Sequence, residues 1–330
     1  MKDTYGRKIE YMRISLTEKC NLRCRYCMPS EGVDIKKHDE MLTEEELLMI
    51  CKVAAQNGVK KFRLTGGEPL VKKNFLEICK RIKQINGVEE LCVTTNGSLL
   101  AGQINELKEI GIDRINISLD TLDKEKFKYI TRIGNLDDTL DGIKAALDAG
   151  FKKIKINVVL IGGFNDDEII DFVNLTKKYP LDVRFIELMP MYDSGDFKKE
   201  AFIPNSKVLE VLDQNKIKYE KIERLDPITK KPNDNGTALL YKIEGALGNI
   251  GLISPLSHSF CATCNRVRLT ADGKLKPCLH SNQEINIKGL NESEMDAKFK
   301  EAILAKPAEH DYLSSESRTK AGRNMNQIGG

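Results

Sequence analysis

Short stretches in which apolar and polar residues alternate recur along the chain, separated by longer ones in which apolar residues return every three or four positions. In "YMRISL", Met12, Ile14 and Leu16 share one face, while Tyr11, Arg13 and Ser15 share the other. Phe62 and Leu64 likewise oppose Lys61, Arg63 and Thr65; Ile115, Ile117 and Leu119 oppose Arg114, Asn116 and Ser118. Ile154, Ile156 and Val158 oppose Lys153, Lys155 and Asn157, and Val183 and Phe185 oppose Arg184. The pattern predicts strands over 10–16, 61–65, 90–94, 114–119, 153–160 and 182–187, and helices over 43–57, 72–84, 101–109, 123–130, 138–149 and 166–178. Thr43 and Glu46 form a capping box, and Gly58, Gly111 and Gly150 stand where left-handed helix terminators belong. Six strand–helix units of this kind predict an α/β fold, an incomplete (βα)6 TIM-like barrel short of the usual eight units.

The apolar strand faces are expected to pack on the helices, which turns Arg13, Arg63, Lys155 and Arg184 into the lumen with few acidic partners on the same face. Burying unpaired cations is costly, so such a lumen should be wet and should take an anion, with a polyphosphate fitting well. The competing reading is a one-sided sheet with a solvated face. Beyond about residue 190 the alternation fails: "PMYDSGDFKKEAFIP" reads as an exposed connection, followed by a helix over 206–213 and a small antiparallel sheet of strands 217–224, 238–243 and 247–253 around the polar loop "DPITKKPNDNG". A further helix is expected over 291–304, and the polar final residues should be mobile. The chain therefore divides into a barrel, 1–215, and a smaller C-terminal α+β region, 216–330.

Composition narrows the class without fixing it. The 330 residues carry 52 Lys and Arg against 49 Asp and Glu, which offers no global argument for nucleic acid or a membrane surface. The charged N-terminus and the lack of a long apolar run predict a cytoplasmic protein. Of nine cysteines, six fall into two triplets, Cys20, Cys24, Cys27 and Cys261, Cys264, Cys278; Cys51, Cys79 and Cys92 lie in core patterns. Three thiolates leave one iron of a four-iron cluster without a protein ligand, open to a substrate or cofactor. The second triplet could also hold zinc with His258 or His280 as a fourth ligand. Arg266 and Arg268 follow Cys264 and alternate so that both can point one way, which suits an anionic ligand with a nitrogen or oxygen donor. In "TGGEP", Thr65 to Pro69, two glycines allow a ligand close to the backbone.

"CNLRCRYCMP" resembles the signature of radical S-adenosylmethionine (radical SAM) enzymes. Together with "RISLT", "RLTGGEP", "TTNG", "ELMP", "NRVRL" and the terminal Gly329–Gly330, it makes the whole chain resemble the GTP 3′,8-cyclase family of molybdenum cofactor biosynthesis. The resemblance implies a lyase with two [4Fe-4S] clusters that uses SAM and turns GTP into (8S)-3′,8-cyclo-7,8-dihydroguanosine 5′-triphosphate through a 5′-deoxyadenosyl radical. It implies that Cys20, Cys24 and Cys27 hold the SAM cluster, with Tyr26, Gly67, Ser118 and Met189 contacting SAM. Arg13, Arg63, Thr94, Lys155, Arg266 and Arg268 match GTP-binding positions, with Arg184 on the triphosphate. Cys261, Cys264 and Cys278 match the second cluster, which receives the guanine ring, and Gly329 and Gly330 match a tail that enters the site.

An external one-electron donor of flavodoxin or ferredoxin type is implied, as is cyclic pyranopterin monophosphate synthase as pathway neighbour; homodimerisation stays open. Two rivals remain at this stage. A peptide-modifying radical SAM maturase would keep the first motif without needing so many lumen cations, and a zinc-stabilised binding module would need no iron.

Overall fold

The computed structural model describes residues 1–33, 36–189, 197, 201–223, 236–310 and 322–329. Six strands, β1 (Tyr11–Ser15), β2 (Lys61–Thr65), β3 (Glu90–Thr95), β4 (Arg114–Ser118), β5 (Ile154–Leu160) and β6 (Asp182–Glu187), lie side by side in chain order. All five pairings are parallel, as strands joined by crossover helices must be. The helices between them are α1 (Glu44–Gln56), α2 (Phe75–Lys83), α3 (Ile104–Ile110), α4 (Lys124–Thr131), α5 (Leu136–Asp148) and α6 (Ile169–Lys178). Thr43 and Glu46 make the expected reciprocal cap on α1, and Gly111 ends α3 in the left-handed conformation at φ 84°.

The apolar strand faces decide where the helices sit. Met12, Ile14, Phe62, Leu64, Ile115, Ile117, Ile156, Val183 and Phe185 are fully buried, in one cluster with Ile50 and Val53 of α1, Ile78 and Ile82 of α2 and Phe172 of α6. Each such side chain stabilises the fold by roughly 1.5–3 kcal/mol of transfer free energy. Cys51 and Cys79 are buried in the same cluster, whereas Cys92, also buried, stands abreast of Arg63 and Arg114 on the polar side of the sheet, which corrects its expected place in the apolar core. The opposite, polar faces line an interior cavity, so the reading of a solvated one-sided sheet does not hold.

The later part of the chain extends this sheet. After α7 (Ser206–Gln214), β7 (Tyr219–Ile222), β8 (Leu239–Ile243) and β9 (Ile250–Ile253) are antiparallel to one another as expected, but β9 also runs parallel to β6. At the other edge β10 (Arg266–Leu269) runs parallel to β1, followed by β11 (Lys274–Lys276) and β12 (Ile285–Asn286) in antiparallel order. The expected small sheet is thus continuous with the barrel, giving one twelve-stranded order β12-β11-β10-β1-β2-β3-β4-β5-β6-β9-β8-β7. β10 went unforeseen because four residues carry too little periodicity to stand out beside a cysteine motif. α8 (Glu292–Leu304) packs on α1.

The chain end corrects another expectation. Residues 322–329 form a docked segment around the short α9 (Met325–Ile328), with Asn326 and Ile328 each about 1% exposed. Most of the connection after 190, most of the polar loop after 225, and Gly330 lie outside the described residues. Among the described residues no helix is long and apolar enough to cross a membrane.

Candidate active site

Strand register arranges the lumen in layers. Arg268, Arg13 and Arg63 stand abreast on β10, β1 and β2, and one pleat lower Arg266, Tyr11, Lys61 and Glu90 form a second row. Across the barrel Thr94, Asn116, Lys155 and Asp182 are register neighbours, as are Ser118, Asn157 and Arg184. All of these except Glu90 and Asp182 line one cavity of about 670 Å³.

The same register places the two cysteine triplets at opposite mouths. Cys20, Cys24 and Cys27 follow β1 at the C-terminal end of the parallel strands. Cys261 and Cys264 precede β10, which is parallel to β1, and Cys278 follows β11, which is antiparallel to β10, so all three gather at the N-terminal end. The strands between span roughly 13 Å at about 3.3 Å per residue. Both triplets line the cavity.

At the first mouth the loops interlock. Gly67 packs so closely that a Cβ there would stand 2.3 Å from the Lys19 carbonyl oxygen, and its N–H donates to the Thr17 carbonyl at 2.7 Å. Glu68 is buried, accepting from the Leu70 and Asn96 N–H groups and the Thr95 hydroxyl. It thereby ties the loop after β2 to the loop after β3. The Cys20 sulfur accepts the Leu22 N–H at 3.3 Å, and the Tyr26 hydroxyl donates to Asp120 at 2.7 Å. Burial, more than any other influence, pushes the thiols of Cys20 and Cys27 up to about 11 and 12 and that of Cys24 well above its ordinary value. Thiols held this way give up their protons when a metal supplies the opposing charge. Three half-buried thiols on one loop, all lining the cavity beside the closely packed Gly67, fit a SAM-bound four-iron cluster.

At the second mouth Lys306 donates to the Arg266 and Pro277 carbonyls, each at 2.9 Å, joining the strands that carry Cys264 and Cys278. Burial raises the Cys264 thiol, but Lys306 and Arg266 outweigh it and leave the thiol below its ordinary value. His280 lies edge-on to His310, its basicity held down to about 3 by burial and its cationic neighbours.

The cations between the mouths are partly balanced, which corrects the expectation of few acidic partners. Glu90 bridges Lys61 at 2.6 Å and Arg114 at 2.8 Å, and Asp182 pairs with Lys155. Parity within a strand was legible, but which strands lie abreast was not, so these partners were missed. Positive charge still dominates. Burial, with Arg268 and Arg63 nearby, lowers Arg13 to about 9 against the pull of Tyr11; burial and Arg266 lower Arg268 to about 10; burial and Arg184 lower Lys155 to about 8 despite Asp182. Burial alone would raise the Tyr11 phenol, yet Arg63, Arg13 and Arg266 bring it down to about 8. Arg63 donates to the Tyr11 oxygen and to the Thr94 hydroxyl. Such a chamber is built for a polyanion.

Every site residue expected from the sequence and lying within the described residues reaches this region. Cys20, Cys24, Cys27, Tyr26, Gly67, Thr94, Ser118 and Met189 line the cavity together with Arg13, Arg63, Lys155, Arg184, Arg266, Arg268, Cys261, Cys264 and Cys278. The Gly329 carbonyl accepts from Arg13 Nε at 3.2 Å and from Arg268. Tyr11, Lys61 and Arg114 share the lumen parity in the sequence and Glu68 falls within "TGGEP"; Asp120 and Lys306 carry no sequence signal.

A partial β/α barrel with a three-thiol loop at the C-terminal mouth and a tightly packed glycine loop beside it defines the radical SAM class of enzymes. Residues 14–176 match the Radical SAM superfamily and residues 181–312 match Molybdenum Cofactor Synthesis C. Curated relatives named GTP 3′,8-cyclase from Alkaliphilus metalliredigens and Moorella thermoacetica are 46% and 45% identical, each over all of both chains. The chain belongs to the GTP 3′,8-cyclase family. Among solved structures, SuiB of Streptococcus suis bound to S-adenosylmethionine is similar with a TM-score of 0.60 at 16% identity, covering 91% of this chain and 65% of SuiB. anSMEcpe with bound AdoMet gives 0.58 at 15%, covering 92% and 79%. These two likenesses concern the fold.

Proposed function

We propose that the chain is a radical SAM lyase that converts GTP to (8S)-3′,8-cyclo-7,8-dihydroguanosine 5′-triphosphate in molybdenum cofactor biosynthesis, holding GTP along the lumen between its two cysteine mouths. The observation that carries this reading is the placement of the triplets at opposite ends of one cationic cavity. A cluster on Cys20, Cys24 and Cys27 with SAM supplies, when bound, the 5′-deoxyadenosyl radical that takes the 3′ hydrogen of GTP. Gly67 opens backbone carbonyls to the SAM ammonium, and Tyr26, Ser118 and Met189 flank the same loops.

The remaining assignments follow from position and charge. Arg63, Lys155 and Arg184 grip the triphosphate from the barrel wall, and Arg13 and Thr94 fix the nucleotide between them. Cys261, Cys264 and Cys278 hold a second [4Fe-4S] cluster facing the guanine, with Arg266 and Arg268 beside the base and ribose. Gly329 closes the chamber and keeps water from the sugar radical, which must survive until C3′ meets C8, and the resemblance gives Gly330 a share in that role. A flavodoxin- or ferredoxin-type protein supplies electrons, and cyclic pyranopterin monophosphate synthase uses the product. A peptide substrate in place of GTP would not bring the polyanion that the net positive charge of these rows favours.

The test is anaerobic incubation of cluster-loaded protein with GTP, SAM and a reductant, followed by mass spectrometry of the nucleotide. The cyclised triphosphate is expected; intact GTP alongside consumed SAM would refute the substrate assignment.

A further inference from the structure

Arg323 sits at the root of the docked chain end, outside the cavity, with its side chain 12% exposed. Its guanidinium makes two forks at once. Nε and Nη2 donate to the Glu284 carboxylate at 2.7 and 2.6 Å, while Nη1 and Nη2 donate to the Asp272 carboxylate at 3.1 and 3.0 Å. Nη1 also lies 3.8 Å from Glu18, whose side chain is fully buried; burial pushes its carboxyl above the ordinary value, against the pull of Lys36, Arg323 and the Gln327 side chain. Lys36 reaches Asp272, and Lys276, itself fully buried, reaches Glu284 at 3.0 Å. The cluster therefore sets three cations, Arg323, Lys36 and Lys276, against three anions, Glu18, Asp272 and Glu284. Removing Arg323 leaves the anions one charge in excess in a largely desolvated place.

The positions of these partners give the cluster a direction. Asp272 lies in the turn joining β10 to β11, the hairpin that carries Arg266 and Arg268 and leads to Cys278; Glu284 stands immediately before β12; Glu18 lies between β1 and Cys20. From Arg323 the chain runs through a cap, Asn324 with Gln327, and a bond from the Asn326 side chain to the Glu18 carbonyl at 3.1 Å. It ends with the Ile328 and Gly329 carbonyls on Arg268 and the Gly329 carbonyl on Arg13. Without an anchor, a four-residue helix has too few internal bonds to hold itself in place.

We propose that Arg323 is a positioning residue: its double fork to Asp272 and Glu284 seats the chain end in the barrel and so sets where the Gly329 carbonyl meets Arg13 and Arg268. The tail is fixed to the very hairpin that bears the second triplet, so its position is referenced to the substrate end of the lumen. The consequence for turnover rests on the proposed GTP reading; the seating itself does not. A lysine at 323 supplies one charge but cannot make two forks.

The experiment compares wild type, Arg323→Ala and Arg323→Lys as cluster-loaded full chains, with amide hydrogen exchange of 325–329, GTP affinity by calorimetry, and the ratio of cyclised product to 5′-deoxyadenosine. In the alanine variant, exchange at 325–329 should rise at least about tenfold while the β1–β6 amides keep their protection. Product per 5′-deoxyadenosine should fall about tenfold or more, GTP affinity should change less than about threefold, and lysine should fall between the two. Wild-type tail protection in Arg323→Ala would overturn the proposal. So would a lost seat with wild-type product yield, or loss of protection across the whole sheet, which marks a residue needed only for folding. Absence of GTP binding by the wild type would instead refute the substrate reading, and the exchange data would still decide the seat.

Discussion

Gly329→Ala tests the docked tail at its most constrained point. Gly329 adopts φ 70° and ψ 69°, where an L-residue is strained by roughly 1–2 kcal/mol. Its added Cβ would stand 2.8 Å from the Thr65 Cγ2 methyl, well inside the carbon contact distance of about 3.5–4.0 Å. The tail can relieve both only by moving, which takes the carbonyl off Arg13 and Arg268, and a hydrogen bond to a charged group contributes about 1.5–3 kcal/mol. Strain plus a clash of about 1 kcal/mol or more, both borne by the seated state, come to on the order of 2–3 kcal/mol, so the seated population should fall by roughly two orders of magnitude. The assay is anaerobic formation of cyclised nucleotide, read beside amide exchange at 325–329. Thr65→Ser supplies the internal control, because it keeps the hydroxyl and removes the methyl. In the double variant the clash is gone and the backbone strain remains, so about tenfold of the loss should return. Wild-type turnover and protection in Gly329→Ala would refute the reasoning, and an unimproved double variant would refute the steric part of it.

Gly67→Ala should be worse tolerated than most loop substitutions, since its Cβ would meet the Lys19 carbonyl at 2.3 Å and backbone cannot swing aside. SAM binding by calorimetry should drop at least about tenfold, and unchanged affinity would count against the cradle. Replacing Cys261, Cys264 and Cys278 together by Ala should lower iron in anaerobically purified protein from about eight to about four per chain, as should replacing the first triplet; retained iron with lost zinc would make the second site a zinc site. Tyr11 gives a pH signature in the metal-free chain. Its phenol is depressed to about 8, so its ionisation stabilises the fold above its unfolded value near 10, and that stability is lost as pH falls through about 8. Phenolate absorbance should show one step near pH 8 that Tyr11→Phe abolishes; titration of every tyrosine near pH 10 would show that the guanidiniums do not surround it.

The parts of the molecule legible in the sequence share a physical cause. Period-two alternation encodes which side of a strand faces the helices, so Met12 and Phe62 on one side and Arg13 and Arg63 on the other could be read without coordinates. Cysteine spacing is likewise local. Lateral order is not, and this is why Glu90 beside Lys61 and Arg114, or Asp182 beside Lys155, escaped notice. The β10 strand and the tail escaped for a further reason. Their stability comes from partners about 250 to 310 residues away in the chain, Tyr11 for Arg266 and Glu18 for Asn326, and nothing in four residues of local pattern records such a partner.

The parallel pairing of β10 with β1 carries more of the proposed function than any single side chain. Had β10 run antiparallel to β1, Cys261 and Cys264 would emerge at the same mouth as Cys20, and the two thiol groups would compete for one end of the lumen. Parallel entry needs the chain to return to the N-terminal end of the barrel before β10; β9, parallel to β6, leaves it at the C-terminal end beside Glu187, and residues 254–260 make the return. Arg266 and Arg268 then alternate into the same rows as Tyr11, Arg13, Lys61 and Arg63, so one register fixes the second triplet and the cationic rows together. A one-residue slip of β10 would turn both guanidiniums toward the apolar layer and Val267 into the lumen. Val267 and Leu269, about 1% and 0% exposed on the core side, hold that register. An apolar-to-polar change at Val267 should therefore damage nucleotide binding through a residue that never touches the nucleotide.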